Sequence, residues 1–437
     1  MLYLARQLSI EKFGELTILI AMASIFALIQ DFGTSTIVVR ETAAKNYLPQ
    51  KIFITTLLLK LITGFLCFWG LILAINLSSY NTDVKNLSYI FAIGFLGESF
   101  LLTLVKHYEG KEEMKYSSLL VSSERVIIAL IVILATKHFD LVLSYGLAYI
   151  ISNFSIFIIG FSLTMDLKSI MNNISFSLLK QILKYSYPFV IFNLFSIVYY
   201  KIDIFLISHF YNDAQVGIYR ASFQLIESIY FISLTLSVSL LPFFARMNKE
   251  YDSNLNSRYS FITKNILLIG LLITFILFPY TKFILSYLYK NKYIEGNIVF
   301  SILSLTIPLY FTANIMGNLL IAIGKEKIQI ASMIIGTIIK FAFLLFLVHS
   351  LGIIGAAISA VIADTILLVI QFWGTLKNGF FISYDAKDFM KIIILVLVMT
   401  IVWTVKSYSI LFIIPVTIFL FKDLIIMILK NLSFKRV

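Results

Sequence analysis

The chain reads as an all-α, polytopic membrane protein of two pseudo-symmetric six-helix lobes, and three observations point there. Apolar runs recur along its whole length, its cations fall on alternate sides of them, and short motifs repeat at nearly constant spacing. The composition sets the class: 60% of its 437 residues are hydrophobic, 13% are charged, and the mean hydropathy is +0.94. That balance belongs to a lipid-embedded chain. The runs cover about 15–38, 52–75, 87–105, 117–135, 141–164, 183–208, 214–242, 261–285, 297–322, 328–348, 351–374, 389–406 and 409–429. At ~1.5 Å per residue even the shorter ones approach a hydrocarbon core of ~30 Å. Helices are expected, since in lipid every backbone group must be satisfied and no ten-residue alternation suggests a barrel.

Charge gives the orientation. With the carboxyl terminus placed in the cytoplasm and cations near a span end counted with the adjoining loop, 22 of the 35 Lys and Arg fall in cytoplasmic segments, eight in external ones and five well inside spans. Cytoplasmic loops of membrane proteins carry this excess. An odd number of spans then leaves Met1–Lys12 outside with Arg6 and Lys12, which implies a first helix absent from this sequence and leaves about thirteen helices present. The first apolar run has neither the basic leader nor the small-residue site of a cleavable signal. The net charge of +12 is spread over short loops without interleaved aromatics, so it reads as topology and contact with anionic lipid headgroups, not nucleic-acid binding. A single cysteine, Cys67, excludes an internal disulfide, and His107, His138, His209 and His349 lie at four different span ends. No metal and no cofactor is expected.

The repeat sets the domain plan. Gly110-Lys111-Glu112 returns as Gly324-Lys325-Glu326 at an offset of 214, Tyr145–Ala148 as Ile354–Ala357 at 209, and Phe13-Gly14 as Val216-Gly217 at 203. Six helices per unit preserve orientation, as in transporters built from parallel repeats. The expected parts are an N-terminal lobe at 1–165, a cytoplasmic linker at 166–180, a C-terminal lobe at 181–376 and an additional pair of spans at 377–437.

Charges inside the spans are the candidate site. Each costs about 2.5–3.5 kcal/mol at mid-membrane, so they must face water or one another. Arg220, Gln224 and Glu227 stand at i, i+4 and i+7 on one helix face, with Tyr230 near the same stripe. This stripe reads either as a ligand-binding face or as an intrahelical ladder. Lys201 and Asp203 are two apart, on opposite flanks, and need partners elsewhere. Arg125 and Lys340 hold nearly equivalent places in the two repeats. They either meet an anion or pair with Glu98 and Asp364 respectively. Lys60 lies nine residues past Lys51 and reads as a long side chain reaching back to the headgroups. Asp31, Phe32 and Gly33 interrupt the first span. That interruption reads as a hinge at Gly33 or simply as a polar helix end, and Pro188 is a second hinge candidate.

The segments Ala5–Gly14, Asp31–Ala43, Tyr185–Pro188, Lys201–Asp203, Val216–Ala221, Pro242–Arg246, Leu320–Lys325 and Leu351–Ala357, taken in order, resemble the polysaccharide transporter family of the multidrug/oligosaccharidyl-lipid/polysaccharide superfamily, the O-antigen flippase type. The resemblance covers nearly all of the chain except the last two spans. It implies a non-enzymatic flippase of the cytoplasmic membrane that moves polyprenyl-pyrophosphate-linked oligosaccharide by alternating access through a cationic cleft. Arg125, Lys201, Arg220, Lys340 and Gln224 would bind substrate, and Glu227, Asp364, Asp203 or Glu98 would couple ions. Lys201 stands where the family more often has Arg, which replaces a bidentate fork with a point charge. Implied partners are the lipid-linked oligosaccharide, membrane lipids, and polysaccharide polymerase and chain-length proteins. Two other readings stand beside it, a cation-coupled multidrug exporter of the same superfamily and an integral membrane polymerase or ligase. The latter generally needs a longer external loop than any found here.

Overall fold

The computed structural model describes residues 1–43, 47–78, 80–135, 140–164, 176–249 and 254–383. The two final apolar runs, most of the linker and the carboxyl terminus lie outside them. Among the described residues the chain is helical without strands: α1 (Leu2–Gln7), α2 (Ile10–Asp31), α3 (Thr34–Ala43), α4 (Pro49–Asn76), α5 (Thr82–Gly110), α6 (Met114–Ala135), α7 (Leu141–Thr164), α8 (Phe176–Phe210), α9 (Asp213–Lys249) and α10 (Leu255–Tyr289) come first. A 3-10 turn (Ile294–Gly296) then leads into α11 (Asn297–Ser304), α12 (Thr306–Ala322), α13 (Glu326–Leu351) and α14 (Ile353–Lys377). Among the described residues ten helical segments are long and apolar enough to cross a bilayer, and the shortest have 22 residues, or about 33 Å at ~1.5 Å per residue. This is an all-α, multi-pass membrane protein.

Local sequence explains many of the ends. Ser9 accepts a hydrogen bond from the Lys12 amide at 3.2 Å, Asn81 from Val84 at 3.1 Å, and Asp140 from Val142 and Leu143 at 2.9 and 3.0 Å, each satisfying amides at a helix start. Pro49 opens α4, where its missing N–H costs nothing. Along α4, Leu61, Ile62, Phe65, Leu66, Trp69 and Leu73 are more than half exposed. In water such a stripe would be an aggregation hazard, but against acyl chains it is the expected outer face.

Contacts divide the chain into two compact units, Met1–Gly217 and Ile218–Val437. In the first, α5 packs against α2, α3, α4, α6 and α7. Helix α8 lies against α2, α3 and α4, so contacts group it with the first unit, while repeat order counts it in the second half of the chain. In the second unit α12 and α13 pack on α14, and α10 on α12.

Element order repeats along the chain, with a spacing that corrects two of the three motif matches. Asp213 follows Ile10 by 203 residues, whereas Ile294, Glu326 and Ile353 follow Thr82, Met114 and Leu141 each by 212. The Gly-Lys-Glu match at 214 is therefore out of helical register by two. At 212 the structurally equivalent residues are Glu112 and Gly324, and these two carry the left-handed backbone, with φ 63° and 73°. The turn is preserved while the glycine has moved, because either residue can be strained into that conformation but only glycine without cost. The match at 209 also falls out of register. The match at 203 holds, and it has a physical reason. A Cβ on Gly14 would collide with the Asp213 carbonyl, and one on Gly217 with the Ile10 carbonyl. Since 14 corresponds to 217 and 10 to 213, α2 and α9 approach through a reciprocal contact that only glycine allows at each centre.

Among the described residues two spans are broken, one in each unit. After Asp31 the chain turns through Phe32 (φ 47°) and Gly33 (φ 69°) before α3, so the first predicted span is two helices. The span Ile294–Ala322 breaks between Ser304 and Thr306, with Pro308 in the first turn of α12, where its ring cannot continue a preceding helix. Thr274 donates to the Ser304 carbonyl at 2.7 Å and satisfies a backbone group freed by that break.

Candidate functional site

In the first unit, Asp31 and Lys60 form an ion pair at 2.7 Å, and the Lys60 side chain is 0% exposed. The sequence-based account of Lys60 is thus corrected: its stem does not reach the headgroups, because a buried carboxylate lies within reach. Ser35 donates to Asp31, while the Lys60 ammonium donates to the Ser99 carbonyl at 3.1 Å and to the Ser35 hydroxyl at 3.4 Å. Gln30 donates to the Lys60 carbonyl at 3.3 Å, and Thr63 to the Gln30 carbonyl at 2.9 Å. The Asp31–Gly33 interruption is therefore more than a polar helix end. It is a break pinned by an ion pair. Gly33 supplies part of its left-handed turn.

Further along α5, Glu98 is hydrogen-bonded to Tyr149 of α7 and lies within electrostatic reach of Arg125 and Lys60. Arg125 itself pairs with its neighbour Glu124 at 3.3 Å, so of its two readings, an anion or Glu98, the second is not met by a direct ion pair. The Arg125 side chain is 60% exposed while that of Glu124 is 5% exposed. One Glu124 oxygen is buried without a hydrogen-bond partner among the described residues. Lys201 is half-buried and Asp203 buried, both on α8. Pro188 falls within the residues of α8.

In the second unit, Arg220 Nη2 and Glu227 Oε2 meet at 2.8 Å across two turns of α9, with Gln224 between them in sequence. The ladder is incomplete. Arg220 Nη1 and Gln224 Oε1 are both buried without a hydrogen-bond partner among the described residues. One turn beyond, Tyr230 is bonded to Thr306 and stacks on Tyr310, with ring centroids 3.9 Å apart and planes inclined by 14°. Asp364 and Glu227 lie within electrostatic reach of the Tyr230 hydroxyl. Lys340 on α13 and Asp364 on α14 are both buried, on helices packed together. Arg125 and Lys340 lie 11 and 14 residues into equivalent helices, about one turn apart, yet their surroundings differ: one is exposed, the other enclosed.

Ser35, Ser99, Tyr149, Thr306 and Tyr310 are not among the sequence-derived candidates, and Asp31 and Lys60 are named there only separately. The Asp31–Lys60 pair joins residues 29 apart with no shared periodicity. Tyr310 corresponds to Glu98 only at the offset of 212, which the sequence matches at 209 and 214 miss, and both engage a tyrosine of their own unit. Apart from these networks, an apolar groove of about 230 Å³ lies between α4, α5 and α7, lined by Ile54, Leu57, Leu58, Leu61, Phe100, Phe157 and Phe161. Among the described residues no three His, Cys, Asp or Glu side chains are grouped so as to hold a metal.

The model of a polysaccharide biosynthesis protein matches residues 1–248, more than half of the chain. The chain belongs to the polysaccharide biosynthesis protein family. A second model, MatE, matches residues 188–346. No curated protein sequence matches the chain. Among solved structures, the lipid II flippase MurJ in an inward closed conformation is similar over 97% of this chain and 95% of its own, at 15% identity and a TM-score of 0.75. An inward-facing multidrug-resistance MATE transporter of the MOP superfamily is similar over 86% of this chain and 92% of its own, at 16% identity and a TM-score of 0.72. A MOP-superfamily transporter from Pyrococcus furiosus, described by a reversed polarity of its binding pocket, covers 86% of this chain and 97% of its own, at 13% identity and a TM-score of 0.60. This member of the polysaccharide biosynthesis protein family therefore has the fold of MOP-superfamily transporters.

Proposed function

We propose that the protein is a flippase that carries a polyprenyl-pyrophosphate-linked oligosaccharide, an O-antigen or other surface-polysaccharide repeat unit, across the cytoplasmic membrane by alternating access, with its carboxyl terminus in the cytoplasm. The observation that carries this reading is the incomplete ladder on α9. A guanidinium has five donors in a planar fork; Glu227 engages one side of it and leaves Nη1 buried and unused. An unsatisfied buried donor costs about 1–3 kcal/mol, so its persistence favours a ligand with oxygen acceptors. Pyrophosphate supplies them, and arginine grips phosphate oxygens bidentately. Gln224 faces the attached sugar or a bridging water. Arg125, Lys201 and Lys340 are further contacts for the same anionic head along its route, and Glu227, Asp364, Asp203 and Glu98 are the groups through which ions would couple. The prenyl tail stays in the lipid, for which the groove along α4, α5 and α7 is apolar enough. The lobes at 1–165 and 181–376 move about Gly33 and Pro188, the first a pivot whose own turn the Asp31–Lys60 pair holds in shape, and a polymerase and chain-length proteins receive the product.

A second reading, export of cationic amphiphiles, draws on a different observation. The stacked Tyr230–Tyr310 pair lies near two carboxylates, a combination that attracts organic cations. Reconstituted vesicles separate the two. Transbilayer movement of a labelled lipid-linked oligosaccharide, lost in Arg220→Gln with normal protein levels, supports the flippase. Wild-type movement by Arg220→Gln removes that residue from the mechanism, and efflux of an organic cation without lipid movement favours the exporter.

A further inference from the structure

Lys60 is enclosed on every side, and what encloses its ammonium is oxygen. Asp31 Oδ1 lies at 2.7 Å, the Ser99 carbonyl at 3.1 Å and the Ser35 hydroxyl at 3.4 Å, from three helices other than its own. One of these ligands carries a full negative charge. The Ser99 hydroxyl is also buried and has no hydrogen-bond partner among the described residues. Glu98, beside Ser99 in sequence, adds a second carboxylate within electrostatic reach. A carboxylate, a backbone carbonyl and a hydroxyl at a helix break form a donor set that hard monovalent cations accept. An ammonium group and a potassium ion are nearly the same size. The four-carbon stem holds such a cation at a fixed place, so it neither needs to be captured nor can leave.

We propose that the Lys60 ammonium is a resident substitute for a bound monovalent cation, permanently filling an oxygen-lined position at the α2–α3 break. The first unit then holds that break whatever ions the solution contains, and any dependence of transport on sodium or potassium arises at other residues. The proposal concerns the ion balance of the first unit and stands independently of which cargo is carried.

Removing the side chain opens the position. The full chain in detergent is unfolded thermally in sodium, potassium, methylammonium or choline chloride at equal ionic strength, for the wild type, Lys60→Ala and Asp31→Asn/Lys60→Ala. Lys60→Ala is expected to be lowered in choline and to gain a saturable rise in midpoint with sodium, potassium or methylammonium that the other two proteins lack. A Lys60→Ala midpoint no more responsive to these cations than that of the wild type overturns the proposal, as does an equal response in the double variant. If Lys60→Ala does not accumulate, the double variant, with no lone carboxylate to neutralise, must still do so; its failure also overturns the proposal. Because the readout is unfolding and not transport, a wrong cargo assignment leaves this result unchanged.

Discussion

The two units break different spans and hold the breaks by different chemistry. In the first, α2 ends at Asp31 and the break is pinned by a buried ion pair with three further hydrogen bonds around it. In the second, the break before Thr306 is held by a neutral hydroxyl, Thr274 to the Ser304 carbonyl. The helix equivalent to α2 is the unbroken α9, and the span equivalent to the broken one in the second unit is the unbroken α5. The polar side chains follow the same divergence: Lys60 and Asp31 satisfy one another, while Arg220 and Gln224 keep a donor and an acceptor in reserve. A duplicated helix order thus does not duplicate chemistry. One network pairs its charges internally, leaving the neutral Ser99 hydroxyl without a partner among the described residues, and reads as structure. The other is open and reads as a binding face.

The sharpest way to break this comparison is to unpair the closed network. Asp31→Ala leaves the Lys60 charge buried alone and should cost about 3–5 kcal/mol, seen as loss of folded protein or a large fall in thermal midpoint. Adding Lys60→Met to Asp31→Ala should restore most of that stability, and a double variant as poor as the single one would show that the pair is not the pin. Next in size is the reciprocal contact of α2 with α9. Gly217→Val should cost about 1–3 kcal/mol by overpacking against the Ile10 carbonyl, measured in the same unfolding assay. Gly14→Val should behave alike, and a neutral result for either would deny the close approach.

The open network should respond the opposite way, losing function more than stability. Arg220→Lys keeps the charge and discards the fork. Transport of the lipid-linked cargo is expected to fall about tenfold or more, at the scale of one lost charge-assisted hydrogen bond, with little change in midpoint. Equal loss of both would move this network to the structural side. The smallest effect belongs to Thr274→Val, which removes one hydrogen bond at the second break and should cost about 1 kcal/mol. A cost rivalling that of Asp31→Ala would erase the distinction between a charged and a neutral pin.

How far the site could be read in advance differs by residue. Arg220 and Glu227 were visible because a helix places i and i+7 on one face, and that local rule survives folding. The near-equivalence of Arg125 and Lys340 was visible too, but not that one is exposed and the other enclosed, since burial depends on neighbours from other helices. Asp31 and Lys60 are invisible as a pair, and of the two readings for Arg125, an anion or Glu98, neither anticipates the adjacent Glu124. The glycine match at 203 marked a true contact, whereas the one at 214 shared letters without sharing geometry.

By itself, the sequence determined that this chain lives in lipid as a series of apolar helices in a repeated order, because span length, hydropathy and helical periodicity are local properties that neighbours do not alter. Only the tertiary structure decided which charges cancel, which spans break and which polar atoms remain unused. Those outcomes depend on distances of a few ångströms between segments far apart in the chain, where a shift of one helical turn exchanges a partner for a vacancy.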